Sequence, residues 1–185
     1  WANKYGGQLG VKSYDIGGIK GLFAQIEFNG VRPFTYSHSN TIGGLKPINT
    51  IQNYGHANQS MAHPLGADFY EYLAIIRYQK DKWLFENKTN YTLYGSDSTA
   101  GSFGGDIYKT YDLREKEHHN YMIQGVRNVL FQNDIRVAYH LSEKFSLWAS
   151  LGYLHRVHTN IFEQNNTSYV YVSIKTAIAN RNYDY

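Results

Sequence analysis

The sequence contains no cysteine, only three prolines and no long aliphatic run. Disulfides are therefore excluded as a source of stability. The longest aliphatic run covers residues 73–76, far fewer than the ~20 residues that a membrane-spanning helix needs. The net charge of +3 is small and scattered, so nucleic acid is not an expected partner. The scarcity of proline, with 17 glycines, argues against a disordered chain.

Tyrosine is the residue in which the sequence is unusually rich. There are 18 tyrosines, and aromatic residues make up 16% of the chain against 18% for charged ones. Tyrosine joins an apolar ring to a hydrogen-bonding tip, so it suits strands, sugar-binding faces and membrane interfaces. At 185 residues, the chain is expected to form one domain over residues 1–185.

Alternation of apolar and polar residues predicts seven β-strands. In the last of them, Val170, Val172 and Ile174 share one face, while Tyr171 and Ser173 share the other. Most segments run to about ten residues, as tilted membrane strands do, whereas strands of soluble domains average about five or six. The predicted strands span residues 5–12, 22–29, 69–78, 83–93 (with Asn87 as an exception to the pattern), 129–141, 145–157 and 169–178.

The predicted connections between strands alternate between short and long. Three are short and turn-like, at residues 15–18, 79–82 and 142–144. Two are long, at about 37–66 and 95–125, and one of intermediate length is predicted at 159–167. Outer-membrane barrels show this asymmetry, with short periplasmic turns and longer extracellular loops. Loops near thirty residues would be unusual in a compact soluble domain unless they were functional.

The expected fold is all-β, an antiparallel transmembrane outer-membrane β-barrel. With the short turns in the periplasm, the last strand runs inward and the C-terminus is periplasmic. The first strand then also runs inward from the outer surface. Because a single-chain bacterial barrel has an even number of strands, seven strands that begin outside predict the C-terminal part of a larger barrel. The alternative is a tyrosine-rich soluble β-sandwich lectin, which would be recovered without detergent.

The polar faces of the predicted strands carry charges of both signs. In a barrel these residues face the lumen, where cross-strand ion pairs would fill or stiffen it. A selective pore is the alternative, although such a pore would favour one sign of charge. The predicted lumen residues are Lys12, Glu27, Glu71, Arg77, Glu86, Lys88, Asp134, Arg136 and Lys175.

Aromatic residues recur near the predicted strand ends on the apolar face. Rings at these positions are typical of the aromatic girdle that lies at the level of the lipid headgroups. The predicted girdle residues are Tyr5, Tyr70, Tyr78, Trp83, Tyr91, Tyr139, Phe145 and Tyr153.

The first long loop brings amides, imidazoles and a tyrosine together with little net charge. Amides can hydrogen-bond sugar hydroxyls and an aromatic ring can stack on a sugar, so a neutral glycan is a candidate ligand. The alternative is an ordered loop that folds back over the lumen and satisfies its own backbone. The candidate ligand-binding residues are Asn53, Tyr54, His56, Asn58, Gln59 and His63.

No motif indicates catalysis or metal binding. His56 and His63 have no third candidate ligand nearby in the sequence, and a transition-metal site needs three or four. Neither a nucleophile elbow nor a phosphate-binding glycine loop nor a pair of catalytic carboxylates is found. We therefore expect a protein that is not an enzyme and has no cofactor and no metal.

Several segments resemble outer-membrane proteins of Bacteroidota. The most specific is the run from Gln52 to His56, followed by Gln59 and residues 62–67; residues 18–22, 29–36 and 180–185 also look similar. The chain thereby resembles the C-terminal portion of the Wzi-like capsule-assembly family, which includes RemB-like gliding-motility proteins. The resemblance implies a cell-surface barrel that attaches polysaccharide or serves gliding, and it carries over no catalytic residue.

The expected function is therefore binding at the surface of the bacterial outer membrane. Outer-membrane lipid is the expected surrounding, and surface polysaccharide and other envelope proteins are the expected partners. The alternative is a structural subunit of an outer-membrane secretion or gliding complex that contacts other proteins through its loops. A passive pore is a third, weaker possibility.

Overall fold

The structure is a computed structural model that describes residues 1–41, 53–99 and 101–176. Seven strands form one antiparallel sheet in the order β1-β2-β5-β6-β7-β8-β9, and β3 and β4 form a separate small hairpin. The strands of the sheet are β1 (Gly6–Tyr14), β2 (Leu22–Val31), β5 (Phe69–Lys80), β6 (Trp83–Ser96), β7 (Val126–Ser142), β8 (Leu147–Thr159) and β9 (Gln164–Lys175). The hairpin consists of β3 (Gly55–His56) and β4 (Gln59–Ser60). Short 3-10 helices lie at Ile16–Gly18 and Tyr111–Leu113.

The all-β, antiparallel prediction is confirmed, and each predicted strand overlaps one strand of the sheet. Residues 177–178 of the last predicted strand lie outside the described residues, as do Gln52 and residues 180–185 of the resembling segments. The strands are 9 to 17 residues long, as the alternation of their residues indicates. The sheet is open, because its edge strands β1 and β9 are not paired with each other. No helix in the described parts of the chain is long and apolar enough to cross a membrane.

The predicted intermediate connection at 159–167 is wrong. β9 begins at Gln164, so only residues 160–163 join it to β8. The turn closes because Asn160 N–H donates to Glu163 O at 2.9 Å, while the Asn160 side chain accepts from Phe162 N–H at 2.8 Å. The alternation missed the start of β9 because residues 164–168 are polar on both faces.

The two long connections meet at one end of the sheet. Their described parts cover residues 32–41 and 53–68 in the first and 97–99 and 101–125 in the second, and we call this end the loop end. The opposite end, at residues 15–21, 81–82 and 143–146, is the turn end. The buried residues Val31, Ala67, Phe69 and Ile107 form one apolar cluster at the loop end. The core therefore lies under the folded loops, and no second layer covers the sheet within the described residues.

One face of the sheet, the apolar face, is exposed. Leu9, Ile26 and Val172 are exposed by 75%, 71% and 77%. The pairing register places such residues opposite one another on neighbouring strands, for example Val11 opposite Ile26 and Leu151 opposite Val172. Other exposed members of this face are Val11, Tyr72, Ile76, Phe85, Tyr91, Ile135, Leu151, Tyr153, Val170 and Ile174. A soluble protein rarely leaves so large a continuous apolar surface uncovered.

Asn87 is a polar residue at a position of β6 where the alternating pattern predicts an apolar one. Its side-chain oxygen accepts from the Thr89 hydroxyl at 3.2 Å. The same hydroxyl oxygen accepts from the Asn133 amide at 2.8 Å, across the β6–β7 pair. Three polar side chains on the apolar face thus satisfy one another, which lowers the cost of placing them in an apolar surrounding.

The residues of the predicted aromatic girdle do not all lie near the ends of strands. Trp83 and Tyr139 pack edge to face at the turn end, with ring centroids 4.8 Å apart. Tyr91 and Tyr153 lie in the interiors of β6 and β8, because β6 continues to Ser96 and β8 to Thr159, beyond the predicted ends. Phe145 lies in the turn that precedes β8 and not in the strand.

Candidate functional site

The first long loop contains the small β3–β4 hairpin, which the alternation did not reveal. Ala57 and Asn58 both have positive φ, at 47° and 60°, as the two central residues of a type I′ turn do. Asparagine tolerates this conformation well, so Asn58 is the local sequence signal for the turn. The turn pairs His56 with Gln59 and presents both side chains to solvent.

The residues before the hairpin attach it to the rest of the loop. The Tyr54 N–H donates to Tyr36 O at 3.1 Å, and the two rings stack with centroids 5.7 Å apart. Asn53 forms an isolated β-bridge with Ser37. The hairpin is therefore held at a defined position, and Tyr54 still leaves about half of its side chain exposed.

A cleft of about 450 Å³ separates this hairpin from the second long loop. Its volume is within the range of ligand pockets, about 300–1,000 Å³. Two of the predicted ligand-binding residues, Asn58 and Gln59, line it. Lining residues that the sequence did not suggest include Ser60, Leu65, Asp106 and Tyr108. Asp106 and Tyr108 come from the second long loop, so no local pattern could have placed them beside the hairpin.

Buried polar atoms without a partner gather around Gly55. They are Asn53 Nδ2, Ser60 Oγ and Tyr108 Oη, none of which has a hydrogen-bond partner among the described residues. Ser60 is paired with Gly55. A Cβ atom at Gly55 would lie 3.1 Å from Asn53 Oδ1 and 3.4 Å from Tyr108 Cε1. Buried polar groups are usually satisfied, so these three atoms leave hydrogen-bonding capacity unused, and two of the residues, Ser60 and Tyr108, also line the cleft.

His63 is separated from the other predicted ligand-binding residues. Its ring stacks on Phe69 at 4.4 Å between centroids. Its Nδ1 accepts from Leu65 N–H at 3.3 Å, so Nε2 carries the proton that is donated to Glu71 Oε2 at 3.0 Å. His63 thus joins the loop to the sheet rather than lining the cleft.

The predicted lumen residues lie on one face of the sheet, the polar face, as the register places them. Glu86 is flanked on both sides, by Arg77 on β5 and by Arg136 on β7, the latter at 2.6 Å. The Asp134 carboxylate accepts from the Tyr171 hydroxyl at 2.8 Å. These contacts link β5 to β6 and β7 through ion pairs and β7 to β9 through a hydrogen bond.

Other predicted lumen residues interact with amides rather than with opposite charges. Glu71 accepts from Asn29 at 2.9 Å and from Asn90 at 2.6 Å. Glu27 accepts from Asn29 at 3.0 Å. Lys12, Lys88 and Lys175 lie on the same face, and none of them is within 4.0 Å of a described carboxylate.

Asp68 holds the two long loops together at the end of the sheet. Its side chain is fully buried, and its carboxylate accepts from Ile123 N–H and from Gln124 N–H, the latter at 2.9 Å. Its carbonyl oxygen accepts from Gly95 N–H at 2.9 Å. Burial raises the pKa of the Asp68 carboxyl from 3.8 to about 7, against the two backbone donors, which lower it.

The raised pKa predicts that stability falls with rising pH. Between pH 3.8 and about 7 folded Asp68 holds a proton that the unfolded chain has lost, so unfolding releases it. The free energy of unfolding should therefore fall by about 2 kcal/mol from pH 5 to pH 7. Asp68→Asn, which cannot titrate, should remove this difference when denaturant midpoints are measured at both pH values. A wild-type stability that rises over this window would contradict the prediction.

Comparisons with protein-family models, with curated protein sequences and with solved structures find no match. Among the described residues, no group of three or more His, Asp or Glu side chains is arranged to hold a metal ion. The candidate binding site is therefore the cleft, whose lining offers amides, a tyrosine and one carboxylate. The sheet adds a second feature, the contrast between its apolar face and its polar face.

Proposed function

We propose that this chain forms part of the wall of an outer-membrane β-barrel and binds a neutral surface glycan through its long loops, without catalysis. The observation that carries the proposal is the contrast between the two faces of the sheet. One face is apolar and exposed on all seven strands of the sheet, while the other carries linked charges and amides. A lipid bilayer outside and a polar interior are the surroundings that match these faces.

The open edges of the sheet fit this proposal only if other strands cover them. In hydrocarbon, each unpaired backbone N–H or C=O costs several kcal/mol. We therefore propose that strands beyond those described pair with β1 and β9 and close the barrel. The loop end would then face the outside of the cell and the turn end the periplasm, as the unequal lengths of the connections indicate.

The cleft is better suited to a neutral sugar than to a charged one. Amide and hydroxyl groups dominate its polar lining, and Asp106 is its one acidic lining residue. The nearby Lys109 ammonium is paired with Asp97 at 2.7 Å, and this ion pair raises the pKa of Lys109. With that cation engaged, an acidic polysaccharide has little to bind, whereas sugar hydroxyls can accept from Tyr108 and Ser60.

A role in attaching surface polysaccharide or in gliding follows the resemblance to the Wzi-like family. A structural subunit of a secretion or gliding complex is the second candidate. It is favoured by the exposed apolar tip at Ile161 and Phe162, where β8 turns into β9. Such a tip fits a protein contact better than a glycan. Co-purification of a partner that is lost in Phe162→Ser would support this second role.

The glycan proposal predicts that Tyr108→Phe weakens binding about tenfold, the equivalent of one hydrogen bond to a ligand. The substitution removes only a hydroxyl with no partner among the described residues, so the fold should be unaffected. Binding of the detergent-purified protein to neutral and acidic bacterial polysaccharides would be measured by surface plasmon resonance.

Tyr121→Phe is the matched control, since Tyr121 is an exposed tyrosine of the same loop and does not line the cleft. If Tyr108→Phe and Tyr121→Phe bind the polysaccharide with equal affinity, the cleft is not the binding site. Failure of the wild-type protein to bind any neutral polysaccharide would exclude the glycan role.

A further inference from the structure

A groove of about 390 Å³ opens on the apolar face, at the loop end of β1 and β2. It is distinct from the glycan cleft and shares no lining residue with it. Its floor is formed by glycines and its sides by apolar and aromatic side chains, with one cation at its end. The residues that matter are Gly7, Gly30, Leu9, Phe28, Tyr70 and Arg32.

Two facing glycines create the floor of the groove. Gly7 and Gly30 are directly paired between β1 and β2. A Cβ atom at Gly7 would have no atom within 4 Å, so the space above it is open. At Gly30 a Cβ would lie 3.1 Å from the Tyr70 ring, which stacks with Phe28 at 5.7 Å. Glycine within a strand often marks a place where another molecule approaches the backbone.

Arg32 is fixed at the end of the groove by two backbone carbonyls, and the Asp68 carboxyl is close enough to feel its charge but forms no ion pair with it. The Arg32 Nε donates to Asn3 O at 3.0 Å and its Nη2 to Asn120 O at 2.6 Å, and both acceptors are backbone carbonyls. The guanidinium lies 5.4 Å from the centre of the Tyr5 ring. No described carboxylate lies within 4.0 Å of it. Its Nη1 donates to no described residue, so that donor can bind an anion.

We propose that this groove binds one anionic membrane lipid that carries a phosphate group, with the phosphate on Arg32 and an acyl chain across Gly7 and Gly30. The proposal rests on the membrane location proposed above and adds a specific lipid site to it. A guanidinium with free donors suits a phosphate oxygen. The glycine floor and the aromatic sides suit a chain without polar atoms. The charge at one end and the apolar length together favour an amphiphile over a peptide or a free anion.

Native mass spectrometry of the detergent-solubilised full chain tests this site. Phosphatidylglycerol and phosphatidylcholine with the same acyl chains would be titrated in parallel. We expect about tenfold tighter binding of phosphatidylglycerol, and loss of that preference in Arg32→Gln but not in Arg32→Lys. Gly7→Leu should weaken binding of both lipids, since leucine fills the open floor while Arg32 stays in place. Lys12→Gln, which removes a cation from the polar face of β1, is the matched control.

Equal binding of the two lipids by the wild-type protein, or an unchanged preference in Arg32→Gln, would overturn the proposal. Displacement of the lipid by millimolar inorganic phosphate, with Gly7→Leu behaving as wild type, would show a free-anion site and also overturn it. Recovery of the wild-type protein from the aqueous fraction without detergent would instead overturn the membrane location. The two failures are therefore distinguishable.

Discussion

Replacing Ile26 by arginine is expected to lower the free energy of unfolding by about 2–4 kcal/mol in a bilayer or bicelle. Ile26 lies in the middle of β2, is 71% exposed and is flanked by Val11 and Ala74 on the same face. In water, a substitution at so exposed a position would change stability by no more than about 0.5 kcal/mol. In hydrocarbon, the guanidinium would have to remain charged without solvent. The size of the change in the free energy of unfolding therefore shows whether water or lipid surrounds the apolar face.

The measurement is a urea titration of the protein refolded in bicelles, read by tryptophan fluorescence. Gln8→Arg is the matched control, because Gln8 is exposed on the polar face of the neighbouring strand β1. The same charge at Gln8 should cost little, since it is introduced beside Glu27 and away from lipid. If Ile26→Arg is as stable as Gln8→Arg and is recovered without detergent, the soluble β-sandwich alternative holds.

Replacing Glu86 by glutamine is expected to destabilise the sheet by about 3 kcal/mol. Glu86 is the one described carboxylate within 4.0 Å of both Arg77 and Arg136, and its own side chain is only 13% exposed. Without it, two guanidinium groups on β5 and β7 would face each other across β6. Removing one member of a buried charge group typically costs about 3–5 kcal/mol, and the 47% exposure of Arg77 reduces this value.

Arg77→Gln serves as the comparison for Glu86→Gln in the same unfolding assay. It removes one arginine but leaves Glu86 paired with Arg136 at 2.6 Å, so it should cost only about 1 kcal/mol or less, as an exposed ion pair does. Addition of salt should partly restore Glu86→Gln by screening the two arginines. An equal loss of stability in the two variants would mean that Glu86 does not link the three strands.

Much of the sheet could be predicted from local alternation. A strand turns successive side chains to opposite faces. The spacing of Val170, Val172 and Ile174 therefore predicts that they share one face of their strand, without any knowledge of the fold. The start of β9 was missed because both of its faces are polar there. The β3–β4 hairpin was missed because two-residue strands are too short to show a period, although Asn58 signals its turn.

The candidate glycan site was only half predictable. Asn58 and Gln59 were found because amides are concentrated in the first loop. Tyr108 and Asp106 could not be found, because they approach the hairpin from a loop about fifty residues away in sequence. His63 looked like a member of the same cluster, but its ring is held against Phe69 and Glu71.

The sequence by itself therefore determined which side chains share a face, because that depends only on the geometry of an extended backbone. It determined the antiparallel all-β class and the position of the long connections for the same reason. The cleft, the burial of Asp68 and the glycine-floored groove were decided by tertiary structure. Each depends on which distant segments pack together, and packing of loops follows from the shapes and hydrogen-bond partners of particular side chains rather than from any repeat in the chain.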